Sequence, residues 1–166
     1  MHKPALDACS ERLGNLLQQG KLKVVTAESC TGGGLAEIIT RIPGSSAWFD
    51  RGFITYSNAA KQEQLGVPAE IINHQGAVSE ATALAMCKGA LEYSQADLGM
   101  AITGIAGPGG GTADKPVGTV CFAWGNKTTG TYWTVQRIFH GDRLSIRIQA
   151  CEAALTGLIE HLQAVT

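Results

Sequence analysis

Apolar positions along the chain fall into two patterns, stripes at helical spacing and short unbroken β-branched runs. Over residues 6–19, Leu6, Cys9, Leu13, Leu16 and Leu17 lie near one helical face, with Asp7, Glu11, Arg12 and Gln18 largely off it, which predicts an amphipathic helix. Gly20 offers a stop. Residues 23–27 (KVVTA) are apolar without alternation, as a strand buried on both faces requires. A helix is predicted over 34–40, ending before Pro43, because the residue before a proline is pushed out of helical geometry. Residues 48–57 read as a strand centred on Phe53 and Ile54. Short helices follow over 58–65 and 68–73, the second with Pro68 in its first turn. Residues 79–93 form a helix capped by Ser79, with Glu80 in the first turn. A strand over 98–103 runs into glycines. Residues 118–124 and 130–140 are predicted as a hairpin turning through 125–129. A long final helix covers 143–163, with Asp142 as cap and Arg143 and Arg147 on one face.

Helices and strands alternate in the first half, which favours an α/β fold, a three-layer α/β/α sandwich. The late hairpin makes its sheet mixed, though mostly parallel. No linker, repeat or low-complexity tract interrupts residues 1–166, and roughly 100–200 residues is one domain's worth of chain, so one domain is expected. With 45% hydrophobic residues and a net charge of −1, the chain carries no basic field for nucleic acid. Five cysteines at wide spacings without a C-x-x-C pair, and four scattered histidines, argue against a zinc site or a disulfide framework. Asp7, Glu11 and Arg12 break any signal-peptide core near the start, and no apolar run reaches the ~18 residues of a membrane span. A cytoplasmic protein with no membrane partner is expected. The 21 glycines are clustered, at 32–34 and through 104–111, which points to tight turns or close backbone approach.

The polar residues gather where strands end. In T-A-E-S-C-T-G-G (26–33) a strand runs through Ser29, Cys30 and Thr31 into a helix that starts at the glycines. These groups can act as a nucleophile or as ligand contacts; equally, Ser29 or Thr31 can simply cap the helix. The segment is not a Walker loop, a G-x-G-x-x-G turn or a G-x-S-x-G elbow. P-G-S-S (43–46) is a turn carrying two hydroxyls, Ser45 and Ser46. T-Y-S-N-A-A-K (55–61) joins a strand to a helix. Tyr56 and Lys61 can carry protons when burial lowers their pKa, and lysine can be the base for a serine nucleophile; otherwise Ser57 or Asn58 caps a surface helix and Lys61 is solvated. T-G-I-A-G-P-G-G-G (103–111) leaves amides free to line a pocket, or is a surface loop. Arg143 and Arg147 can clamp a phosphate or carboxylate, or stand as solvated charges. All but the last lie at strand ends, where open α/β sheets bind ligands.

The segments A-E-S-C-T-G-G (27–33), P-G-S-S-A-W-F (43–49), G-F-I-T-Y-S-N-A-A-K (52–61), G-A-V-S-E (76–80), T-G-I-A-G-P-G-G-G (103–111) and K-P-V-G-T-V (115–120), in this order, resemble the CinA C-terminal domain family over nearly the whole chain. The resemblance implies the three-layer fold, a homodimer, no metal or organic cofactor, and hydrolysis of nicotinamide mononucleotide to nicotinate mononucleotide and ammonia. On this chain it implies Ser29, Tyr56, Lys61 and Ser46 as catalytic residues. Cys30, Thr31, Gly32, Gly33, Ser45, Thr103, Gly104, Gly107 and Arg143 are then expected to contact substrate. Lys61 would take a serine proton, Tyr56 would serve the departing ammonia, and Arg143 with loop amides would hold the phosphate. Ser29 and Ser46 both remain candidates for the nucleophile, with the strand-to-helix turn favouring Ser29. A nucleotide-binding module without turnover, or an amidohydrolase for another small amide, would use the same glycine loops.

Overall fold

The computed structural model describes residues 2–165. Strands β1 (Val24–Glu28), β2 (Phe49–Ile54), β3 (Leu98–Gly104), β4 (Thr119–Asn126) and β5 (Thr131–Ile138) form one sheet in the order β2-β1-β3-β4-β5. β1 pairs in parallel with both β2 and β3, while β4 runs antiparallel to β3 and β5. Four strands therefore point one way and only β4 opposes them. The helices are α1 (His2–Gly20), α2 (Gly34–Thr40), α3 (Asn58–Leu65), α4 (Ala69–Gln75), α5 (Glu80–Glu92) and α6 (Arg143–Ala164).

Side-chain alternation on the central strands divides the core into two layers. Val24, Met100, Ile102, Val120, Phe122 and Trp124 pack against α1, α2 and α6. Val25, Ala27, Ala101, Cys121 and Ala123 pack against α3, α4 and α5. Strands covered on both faces cannot alternate apolar with polar, which is why β1, β3 and β4 read as unbroken apolar runs. The edge strands β2 and β5 are only half-buried and keep their polar positions.

Several boundaries differ from the sequence expectation, each for a local reason. Residues 45–47 form a 3₁₀ turn, so β2 starts at Phe49, and residues 55–57 leave the sheet to cap α3. Pro68 precedes α4 instead of opening it. Gly20 lies within α1, and the chain reverses at Lys21, whose φ is 54°. Gly125 sits inside β4 opposite Tyr132, so the hairpin turns through 127–130 with Gly130 at φ 70°. Among the described residues, no helix is long and apolar enough to cross a membrane.

Two connections set the functional end of the sheet. The chain leaves β1 through α2 on one face to reach β2. It then returns through α3–α5 on the other face to reach β3, on the far side of β1. The β1/β3 junction is therefore a topological switch point, where such sheets open a crevice outside the carboxyl ends of their strands. The return crossover is packed tightly, since a Cβ on Gly89 of α5 would lie 2.0 Å from the Leu65 carbonyl oxygen at the end of α3. Replacing Gly89 with alanine is expected to lower stability by about 1–3 kcal/mol in urea unfolding, although alanine is the better helix former by about 1 kcal/mol. Unchanged or raised stability would contradict this packing.

Candidate active site

β1 ends at Glu28, a fully buried carboxylate. Its oxygens accept from the backbone N–H groups of Leu35 (2.8 Å) and Ala36 (3.0 Å) in α2, and from the Thr31 hydroxyl (2.6 Å). The cap expected from Ser29 or Thr31 is therefore supplied by Glu28, and Gly33, at the N-cap position, contributes no side chain. The intervening turn closes through Gly32 N to Ser29 O at 3.0 Å and uses left-handed backbone at Gly32 and Gly33. Ser29 begins the turn with its N–H donated to Ile102 O at 3.0 Å. With the cap filled by an acid, the Ser29 hydroxyl is released for another partner.

That partner is Lys61. Ser57 caps α3 by accepting from Ala60 N at 3.0 Å, and Lys61 comes one turn later. Its side chain folds back so that Nζ lies 3.2 Å from Thr55 O, 3.2 Å from Tyr56 O and 3.1 Å from Ser29 Oγ. Ser29 Oγ is also 3.4 Å from Tyr56 O. Lys61 is 1% exposed and Ser29 7%. No ion pair among the described residues involves Lys61. Burial pulls its pKa below the ordinary lysine value, with the Cys30 sulfur opposing. Burial also pushes the Cys30 thiol up to about 12, so at neutral pH Cys30 is uncharged and lends the ammonium little support. Nζ donates to the two carbonyls and to Ser29 Oγ, whose own hydroxyl is directed to Tyr56 O. Once it has lost a proton, the amine keeps two N–H groups for the carbonyls and has a lone pair to accept from the serine O–H.

The pair faces a cavity of about 190 Å³ at the carboxyl ends of β1, β2 and β3. Thr103 and Gly104 form part of its wall, and Ala77 and Val78 form another part. The Ala77–Val78 wall is pinned by the Thr103 hydroxyl donating to Ala77 O (2.8 Å) and by Lys115 Nζ donating to Gln75 O (3.2 Å) and Val78 O (2.5 Å). Tyr56 stands at the rim, 60% exposed. Its hydroxyl accepts from Arg143 Nη2 at 3.1 Å, while Arg143 Nη1 donates to Gly107 O at 2.6 Å.

The structure thus gathers Ser29, Cys30, Tyr56, Lys61, Thr103, Gly104 and Arg143 around one cavity, with Gly107 joined through its carbonyl. Gly32 and Gly33 shape the turn behind Ser29. Thr31 is buried with its hydroxyl committed to Glu28. Ser45 and Ser46 are not part of this cavity. They lie in the 3₁₀ turn at the amino end of β2, with Ser46 exposed. The straight strand that follows separates them from Tyr56 by about 20 Å, at ~3.3 Å per residue. Within one chain, Ser46 is therefore not a partner for Lys61. Sequence reasoning missed three contributors: Glu28; Lys115, which holds the wall; and Asn58, freed from capping by Ser57 and lining the cavity. The G-A-V-S-E and K-P-V-G segments carried the signal for the wall, and the acid ending β1 carried it for the cap. Among the described residues, no three His, Cys, Asp or Glu side chains stand together as a metal site would.

A family model of the CinA C-terminal domain matches residues 6–162. The chain belongs to the CinA C-terminal domain family. It is 51% identical over 149 residues to the nicotinamide-nucleotide amidohydrolase PncC of Pseudomonas putida, covering 90% of this chain and 92% of that one. It is 50% identical to the PncC of Escherichia coli K12, covering 90% of each. Among solved structures, the competence/damage inducible protein CihA from Agrobacterium tumefaciens superposes with a TM-score of 0.91 at 45% identity, covering 95% of both chains. A CinA superfamily protein from Klebsiella pneumoniae 700603 does so at 0.92 and 37%, covering 96% and 98%. In this CinA domain one acid ties the serine turn to the start of α2. Replacing Glu28 with alanine orphans two amides and a hydroxyl and is expected to cost at least about 2 kcal/mol. Glutamine should recover only part, having one acceptor oxygen where the carboxylate has two. Denaturant midpoints check both, and a wild-type midpoint for the alanine variant would contradict the assignment.

Proposed function

We propose that the site hydrolyses the carboxamide of nicotinamide mononucleotide to nicotinate mononucleotide and ammonia, with Ser29 as nucleophile and Lys61 as general base. The observation that carries this reading is the 3.1 Å contact between Ser29 Oγ and a buried Lys61 Nζ without a carboxylate partner. The names of the relatives supply the substrate class.

The reaction runs in two halves. Lys61, neutral, takes the Ser29 proton as Oγ attacks the carboxamide carbon. Charge developing on the amide oxygen is met by backbone amides of the glycine turns. As the C–N bond breaks, the protonated Lys61 returns that proton to the leaving nitrogen and ammonia departs, leaving an acyl-serine. Water then attacks the acyl carbon, its proton passes to Lys61 and on to Ser29 Oγ, and nicotinate mononucleotide is released. Lys61 rather than Tyr56 serves the leaving group, because the phenol stands at the rim bound to Arg143. Tyr56 contributes its main-chain carbonyl to the lysine instead. Arg143 spends two donors on Tyr56 and Gly107. Of the five N–H donors a guanidinium carries, the rest can take the 5′-phosphate.

Purified protein is expected to release ammonia from nicotinamide mononucleotide, faster than from the riboside or free nicotinamide. Ser29→Ala and Lys61→Met should each lose on the order of 10³-fold or more in kcat. Binding of the mononucleotide with no ammonia release would overturn the hydrolase reading in favour of a nucleotide-binding module. Wild-type turnover by Lys61→Met would overturn the role of the lysine.

The buried amine also sets the pH dependence. Because its pKa in the fold lies below the ordinary 10.5, kcat/KM should rise with pH to a midpoint below that value. Stability works in the same direction. Between the folded and unfolded pKa values the unfolded chain binds the extra proton, so unfolding becomes harder as pH rises through that window. Lys61→Met should remove this stability increment. A pH–rate profile still rising at pH 10.5, with its midpoint not displaced, would contradict a neutral base.

A further inference from the structure

Arg147 shares a helical face with Arg143, and the two together suggested a clamp for an external anion. The structure commits Arg147 elsewhere. From the second turn of α6 its Nε donates to Cys30 O at 3.1 Å and its Nη2 to Thr31 O at 3.0 Å. It does not line the cavity of Ser29 and Lys61, but stands on the opposite side of the serine turn, beside Gly34 and Ile38 of α2. No ion pair among the described residues engages it.

The turn it grips is rich in glycine. Two of its residues are glycines in left-handed geometry, at φ 58° and 97°, a conformation that restricts a chain weakly. Its start is tied to β3 through Ser29 N, and Thr31 is tied to Glu28 through its hydroxyl. The two successive carbonyls after Ser29 are held by the guanidinium, with Thr31 O also accepting from Gly34 N at 2.9 Å. A planar fork donates to the consecutive carbonyls from two nitrogens fixed in one plane, so it orients both peptide planes with a rigid geometry that a rotatable ammonium lacks. The contact also crosses 117 residues of sequence, so it locks the turn to the packed body of α6.

We propose that Arg147 is a positioning residue: by holding the Cys30 and Thr31 carbonyls it sets the place of Ser29 Oγ relative to Lys61 Nζ, without touching substrate. The inference rests on the reading of Ser29 as nucleophile. A displacement of about 1 Å at a reacting group can cost on the order of 100-fold, so the effect belongs in kcat.

The test compares wild-type protein with Arg147→Met, Arg147→Lys and Arg147→Gln in steady-state hydrolysis of nicotinamide mononucleotide. Alongside it runs the rate at which a fluorophosphonate probe labels Ser29. Arg147→Met is expected to lose on the order of 100-fold in kcat, with KM within about threefold, and to slow labelling in parallel. Lysine, which keeps the charge but not the fork, should stay about tenfold below wild type, and glutamine should fall between methionine and lysine. Wild-type kcat in the methionine variant, or a loss confined to KM, would overturn the proposal. If the methionine variant does not fold, the lysine variant decides by the same split, and full activity there overturns it. If wild-type protein releases no ammonia but Ser29 is labelled, the hydrolysis reading fails on its own and the labelling rates decide for Arg147. Wild-type protein that is neither active nor labelled removes both.

Discussion

A buried amine with no acid beside it is the constraint around which this end of the molecule is organised. A lysine nine-tenths or more out of water normally pairs with a carboxylate, since an isolated buried charge is costly. Lys61 instead has two main-chain carbonyls and a serine hydroxyl. Glu28, the buried acid that ends β1, is engaged elsewhere. Its oxygens are occupied by α2 amides and Thr31. That carboxylate holds the start of α2 behind the serine turn, while burial lowers the pKa of the lysine.

The switch-point topology explains why these groups meet at all. Ser29 follows β1, Lys61 follows β2, and Thr103 and Gly104 close β3, so three adjacent parallel strands deliver their carboxyl ends to one crevice. β4 and β5, on the far side of β3, add nothing to the serine–lysine pair. They bring the chain to the start of α6, whose first two turns carry Arg143 to the rim and Arg147 to the back of the serine turn. One helix therefore touches both the mouth of the cavity and the underside of the serine turn.

Much of this was legible in the sequence. The layered fold followed from alternating elements, and unbroken apolar runs separated central strands from edges. The site was legible in so far as its residues sit in short segments at strand ends: the strand-end rule marked Ser29, Lys61 and Thr103 as candidates beside capping or solvent-exposed alternatives, and the family resemblance supplied their roles. What escaped depended on three-dimensional reach. Local preference assigned the α2 cap to a hydroxyl, whereas a carboxylate seven and eight residues upstream takes it. Ser46 stood beside Ser29 as a candidate nucleophile, but the extended strand β2 lies between it and Tyr56 and carries them apart. Arg143 and Arg147 share a face, yet one helical turn is 5.4 Å of rise, enough to send them to different loops.

Lys61 and its two carbonyl partners all fall within residues 55–61, so that half of the pair is one heptapeptide running into the first turn of α3. Ser29 joins it through the alignment of β1 with β2, in which Glu28 lies opposite Ile54 and the ladder already absorbs one irregularity between Val24 and Val25. Strand pairing has a period of two, so a slip of a single position would turn every side chain of β1 to the wrong face. The Ser29–Lys61 distance is thus encoded in ladder alignment, and length changes in the exposed connection ahead of β2 are tolerable only while that alignment survives. A chain built to graft this chemistry elsewhere would have to transplant the heptapeptide together with the strand that sets its phase.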